Sequence, residues 1–124
     1  MTDHLTITEV LAIHLDLIER YGGTKGVRDP GLLEAALFRP QTGYYDDIIA
    51  TAAALWESLS QNHPFMDGNK RTAFAATHTF LAINGVMITA DAEETWKFLD
   101  GLYQGGEFEF DKLDAWLRRN TSGS

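Results

Sequence analysis

The residues best equipped for chemistry lie together in one polar break, His63-Pro64-Phe65-Met66-Asp67-Gly68-Asn69-Lys70-Arg71. His63 offers a ring nitrogen that can take a proton from an attacking hydroxyl. Asp67 supplies a hard oxygen that suits Mg²⁺, an ion usually held by one or two carboxylates together with substrate phosphates. Gly68 has no side chain to block an approaching group, and a helix begins close to Lys70. A helix start leaves backbone N–H groups without intrahelical partners, so the amides of Gly68, Asn69 and Lys70 can cradle an anion. Lys70 and Arg71 add full positive charge there, and arginine can grip phosphate with two parallel hydrogen bonds. An anion cradle, a magnesium ligand and a base so close in sequence describe phosphoryl or nucleotidyl transfer. Taken singly, each residue also has an ordinary structural role: His63 in packing, Asp67 or Asn69 as a helix cap, Lys70–Arg71 as solvated surface. Pro64 and Phe65 read as structural, the proline stiffening the turn and the phenylalanine anchoring the loop. The combination is what points to chemistry.

Helices must position this break. Thr6 and Glu9 are spaced as a capping box ahead of a first helix carrying Val10, Ile13, Leu17 and Tyr21, with Leu11, Leu15 and Ile18 on an adjoining stripe. That width predicts burial on two sides, and Gly22–Gly23 stop the helix. Asp29–Pro30 opens a short second helix that ends before Arg39–Pro40. Asp46 or Asp47 starts a third, with Ile49, Ala52, Ala53, Trp56 and Leu59 on its apolar face. The fourth follows the polar break and stops at Asn84–Gly85. Val86–Thr89 reads as a short extended linker with no pairing partner. Asp91 caps a fifth helix with Trp96, Leu99 and Tyr103 as its buried stripe, and Asp111 caps a sixth with Leu113, Trp116 and Leu117. The expected fold is all-α, a compact bundle of about six helices around the third and fourth. Residues 1–120 form one domain, and Thr121–Ser124 is expected to fray.

Composition narrows the function. The chain has 124 residues, 44% apolar and 23% charged, enough for one core. It has no cysteine, which excludes disulfides, thiolate zinc sites and a cysteine nucleophile. Eighteen acidic against ten basic residues give a net charge of −8, which opposes direct nucleic-acid binding. No stretch approaches the roughly 18 apolar residues of a membrane span, and Met1–Thr8 lacks the pattern of a signal peptide. The expected compartment is the cytoplasm.

His63 to Arg71 resembles the signature of the Fic/Doc (Fido) superfamily, His-Pro-Phe-x-Asp-Gly-Asn-x-Arg. Lys70, in place of the glycine of adenylylating Fic enzymes, brings it closest to the death-on-curing (Doc) branch. Tyr21-Gly22-Gly23, Arg28-Asp29-Pro30-Gly31-Leu32-Leu33-Glu34 and Arg39-Pro40-Gln41 resemble the upstream segments of Doc-like proteins. The resemblance implies an all-α fold, His63 as base for a target hydroxyl, Asp67 as magnesium ligand, and Gly68, Asn69, Lys70 and Arg71 as the phosphate site. It also implies ATP and Mg²⁺ as cofactors and transfer of the γ-phosphate to a protein, with elongation factor Tu the expected target. A cognate antitoxin would restrain the activity, since no inhibitory Ser/Thr-x-x-x-Glu-Gly/Asn helix is visible in the sequence.

Some positions depart from the pattern. Phe74 stands where adenylylating members carry a second arginine, which weakens AMP transfer. Gln61–Asn62 stand where a basic residue would assist ATP, and Ala75 stands where a polar one is expected. Arg28 or Arg39 could supply the missing charge if the fold brings either close. Tyr44-Tyr45-Asp46-Asp47 occupies the region of the family's target-aligning flap, or is a surface turn before a helix. His14 reads as a hydrogen-bonded core residue, His78 as packing or surface, and His4 as part of a frayed end. The alternatives are adenylyl transfer and a lapsed binding module. A metal-dependent hydrolase is disfavoured, because nothing completes a ligand set around His63 and Asp67.

Overall fold

Helix starts follow the caps written in the sequence. The computed structural model describes residues 2–123. The Thr6 hydroxyl accepts from the Glu9 N–H at 3.2 Å while the Glu9 carboxylate accepts from the Thr6 N–H at 2.9 Å, opening α1 (Ile7–Tyr21). Asp29 accepts from the Leu32 N–H at 3.1 Å and Pro30 fills the first turn of α2 (Pro30–Phe38), which tightens into a 3-10 turn at Arg39–Gln41. Asp47 caps α3 (Ile48–Asn62) through the Ala50 N–H at 2.8 Å. Gly68, in the left-handed conformation, opens α4 (Asn69–Ile83), and Asp91 caps α5 (Ala92–Gly105).

The last helix, α6 (Phe110–Arg119), starts after Glu109 rather than at Asp111. A distant group sets its start: Glu57 of α3 accepts from the Phe110 N–H at 2.9 Å, leaving Asp111 in the first turn. The same carboxylate pairs with Arg39 at 2.7 Å, and Arg39 also donates to Tyr45 and Ser58.

Helix α3 is the axis of the bundle, packed against α2, α4 and α6, while α1 crosses α4. Ala52, Ala53 and Ala54 are fully buried on α3 and let its neighbours approach closely. Trp56 is also fully buried, with Phe74, Trp116, Phe108 and Phe98 around it at 5.6, 5.8, 6.1 and 6.4 Å. Such aromatic pairs add about 0.5–1.5 kcal/mol each beyond the area they bury.

The all-α expectation holds, with local corrections. Helix α1 buries one face, through Val10, His14 and Ile18, not two. Ile7, Leu11 and Leu15 on the other side remain 38%, 36% and 44% exposed. Val86–Ile88 (β1) is not an unpaired linker, and Thr121–Gly123 (β2) is not a frayed tail. They pair antiparallel, Val86 opposite Gly123 and Ile88 opposite Thr121, so the ordered fold runs past residue 120. Ser124 lies outside the described residues. The segment around His4 is also pinned: Asp3 and Asn84 exchange two 2.9 Å hydrogen bonds, and His4 stacks on Phe80 at 5.8 Å.

Asp47 makes a stability prediction possible. Hydrogen bonds from Arg118, then from the Ala50 N–H, hold its carboxyl below the ordinary carboxylate range. The folded state therefore binds that proton more weakly than the unfolded chain, so the stabilisation is present at neutral pH and lost on acidification. Asp47→Ala is expected to cost about 1 kcal/mol at pH 7, and the deficit to shrink as pH falls below about 4. Urea midpoints of both proteins at pH 7 and pH 3 check this; an undiminished gap at pH 3 would rule out the charge contribution.

Candidate active site

The site is assembled where α3 ends and α4 begins. His63 closes α3 in the left-handed conformation, φ 48° and ψ 55°, the one non-glycine positive φ among the described residues. That turn takes the imidazole off the buried α3 surface and leaves it exposed. Left-handed backbone strains an L-residue by about 1 kcal/mol, and a clamp from the α1–α2 loop offsets the strain. Arg28 donates to the carbonyls of His63 at 2.7 Å and Asn62 at 3.0 Å. The N–H groups of Arg28 and Asp29 reach the Pro64 carbonyl, and the Met66 N–H reaches Gly26, with Val27 bridged to Phe65. The His63 ring has no hydrogen-bond partner among the described residues.

Phe65 is the anchor, 1% exposed and stacked on His14 at 3.9 Å with the rings 7° from parallel. His14, 4% exposed, bonds the Asp67 carbonyl at 2.8 Å, as expected of a core histidine. A carbonyl only accepts, so His14 carries its proton on Nε2. The Asn69 carboxamide brackets Phe65, accepting from its N–H at 2.9 Å and donating to its carbonyl at 3.1 Å. That side chain is therefore structural, and Asn69 offers the cleft only its N–H.

The Asp67 carboxylate is held by the Gly68 N–H at 2.9 Å and the Thr24 N–H at 3.2 Å. Gly23 lies so close, with φ at 121°, that a Cβ there would meet Asp67 Oδ2 at 2.8 Å. Since Gly68 spends its amide on Asp67, the cradle shifts by one residue. The N–H groups of Asn69, Lys70 and Arg71 have no partner among the described residues and form its floor. Lys70 Nζ lies 4.3 Å from the Tyr103 ring centroid and Arg71 Cζ lies 4.8 Å from that of Tyr21. Neither cation pairs with a carboxylate among the described residues. An aromatic face steers a cation without cancelling its charge, so both remain able to meet phosphate. Burial raises the Tyr103 phenol above its ordinary value, opposed by the 2.7 Å hydrogen bond to Ser60, so the ring under Lys70 stays neutral.

These groups face one cleft of about 520 Å³, lined by residues 66–71, His63 and, from α5, Trp96. Trp96 was expected in the buried stripe, yet it is 50% exposed. A larger groove of about 600 Å³ lies between residues 4–7 and α2, but no lysine or arginine lines it. The sequence-predicted residues His63, Asp67, Gly68, Asn69, Lys70 and Arg71 thus come together. Others do not reach the cleft. Arg39 is held by Glu57, Arg28 serves the clamp, and Tyr45 packs on Phe110 at 5.5 Å. Gln61 donates to the Phe108 carbonyl, Asn62 to that of Leu32, and Phe74 packs on Trp56. His78 contacts Phe74 and is not among the residues that line the cleft. Thr24, Tyr21 and Tyr103 were missed, since nothing local in the sequence marks a backbone amide or a ring that serves a distant side chain.

No group of three metal-ligating side chains exists among the described residues. One exposed carboxylate beside a phosphate cradle nevertheless fits magnesium, which takes its remaining ligands from phosphate and water. No helix of the described residues is long and apolar enough to cross a membrane.

A helical domain that sets partnerless N–H groups and two cations beside an unengaged imidazole has the chemistry to meet an anion next to a proton acceptor. A sequence model of the Fic/DOC family matches residues 4–81. The chain belongs to the Fic/DOC family, and its fold is the helical Fido type. It is 55% identical over 76 residues to "Toxin Doc" of Mycolicibacterium smegmatis, a match covering 57% of this chain and 58% of that one. It is 37% identical over 89 residues to "Protein kinase doc" of Escherichia phage P1, covering 68% of this chain and 71% of that one. The chain therefore spans less than two thirds of the length of the first relative.

Proposed function

We propose that this chain is a Doc-type toxin: a Mg-ATP-dependent protein kinase that moves the γ-phosphate of ATP to a hydroxyl of elongation factor Tu and so inhibits translation in the cytoplasm. The observation that carries this reading is one cleft lined by His63, Lys70 and Arg71, in which neither cation pairs with a carboxylate, and neither the His63 ring nor the N–H groups of residues 69–71 have a partner, among the described residues. The names of two relatives, one a toxin and one a protein kinase, support it.

In this reading the N–H groups of Asn69, Lys70 and Arg71 bind phosphate oxygens, and the two side chains neutralise them. Asp67 would hold the magnesium ion, which when bound draws charge from the transferring phosphoryl group. The target hydroxyl attacks the γ-phosphorus and its proton passes to His63. The bond to the β,γ-bridging oxygen breaks, and ADP leaves with that electron pair. Little covalent work falls to the protein, and positioning supplies much of the rate. Lys70 favours this outcome over AMP transfer, since it brings bulk and charge where adenylylating relatives carry glycine.

A cognate antitoxin is the proposed restraint. The open apolar stripe of Ile7, Leu11 and Leu15 on α1 suits an amphipathic partner segment, and the net charge of −8 suits a basic one.

The deciding experiment incubates the protein with Mg²⁺, elongation factor Tu and ATP labelled at the α- or the γ-phosphate. Label on the factor from γ-ATP alone is expected. Label from α-ATP would make the protein an adenylyltransferase, and no label from either would remove this factor as the target.

A further inference from the structure

We infer that Trp96 is the platform on which the heterocyclic base of the nucleotide stacks, an inference that rests on reading the cleft as a nucleotide site. The three tryptophans divide sharply. Trp56 is fully buried, Trp116 is 5% exposed, and Trp96 is 50% exposed. The first two sit among core aromatics, whereas the Trp96 ring stacks on no other aromatic ring among the described residues. A half-exposed indole at the wall of a charged cleft offers a flat apolar surface that a ligand there can use.

Its placement suits that ligand. Trp96 borders the same cleft as the phosphate cradle. It also borders a second depression of about 200 Å³, lined by Phe74, His78, Ile88 and Ala90 among others. The indole is the one residue common to both, so a ligand with phosphates at Asn69–Arg71 and a flat apolar end continues directly over it. The helix beneath is anchored by its buried side chains. Thr95 is buried and bonds the Asp91 carbonyl at 2.8 Å, Leu99 is 2% exposed, and Phe98 stacks on Trp116 at 4.9 Å. A helix anchored through these residues thus presents the ring at the cleft wall. Every base has a π-face, so this platform supplies affinity and does not choose among bases.

The test measures calorimetric binding of ATP and of inorganic tripolyphosphate, both with Mg²⁺, to the wild type, Trp96→Phe and Trp96→Leu. Trp96→Leu is expected to weaken ATP about tenfold or more while binding tripolyphosphate as the wild type does. Trp96→Phe should retain most of the ATP affinity, and ATP but not tripolyphosphate should quench tryptophan emission of the wild type. Unchanged tripolyphosphate binding doubles as proof that the variants are folded. Unchanged ATP affinity in Trp96→Leu, or equal losses for both ligands, would overturn the platform. A wild type that holds ATP no more tightly than tripolyphosphate would overturn the platform and leave the cradle standing. Failure of the wild type to bind either ligand would take down the nucleotide reading and the platform with it.

Discussion

Replacing His63 with alanine is expected to lower transfer to the target hydroxyl by about a hundredfold to ten-thousandfold, the usual contribution of a positioned general base. The fold should survive, because the residue is held by its backbone: Arg28 grips the His63 carbonyl, while the ring has no partner among the described residues. ATP binding should change little, since the cradle lies on the next helix. The left-handed backbone is a complication, as alanine tolerates it poorly. His63→Asn resolves it, because asparagine accepts that conformation readily but cannot take the proton. Both variants should bind ATP normally and transfer almost nothing in single-turnover assays. Activity within tenfold of wild type in either would exclude His63 as the base.

The second large effect concerns stability and activity together. Asn69→Ala removes both ends of the bracket around Phe65, whose N–H and carbonyl then lose their partners in a part-buried loop. An unsatisfied buried polar group costs about 1–3 kcal/mol, so a total near 2–4 kcal/mol is expected from urea unfolding. That is a large fraction of the roughly 5–15 kcal/mol that holds a domain of this size together. The surviving folded protein should also transfer poorly, since the bracket fixes the path from His63 to the cradle. Asn69→Asp keeps the acceptor and loses the donor, so its stability should fall between the two. It also places a negative charge beside the phosphates, so ATP affinity should fall further than in Asn69→Ala. An Asn69→Ala midpoint matching wild type would show that the loop is held elsewhere.

What the sequence made legible was local. Thr6 with Glu9, Asp29 with Pro30, the Asp46–Asp47 pair and Asp91 each mark a helix start within a few residues, and the caps are present, Asp47 serving for the pair. The motif break was equally plain, because its chemistry lies in consecutive side chains. Features set by distant partners were not. The start of α6 depends on Glu57, and the β1–β2 pair joins segments more than thirty residues apart with no turn signal between them. Trp96 shows a different limit. Its spacing with Leu99 and Tyr103 is correct for a helix face, but periodicity cannot distinguish a core from the wall of a cleft. Helix α1 carried two apolar stripes, and only packing decided that the Leu11–Leu15 side stays open. The anion site moved by one residue because Asp67 turns back onto its own neighbour's amide, a choice made by the fold.

Gly23 lies forty residues before the motif, yet it has no room for a methyl group beside Asp67. Every single-base change at the first or second position of a glycine codon adds a side chain or ends the chain. On the proposed reading of this chain as a toxin, survivors of a culture that expresses it should therefore accumulate lesions at Gly23 as well as at His63 and Asp67. The genetic target for silencing the site is wider than its signature, and part of it lies where a motif search would never look.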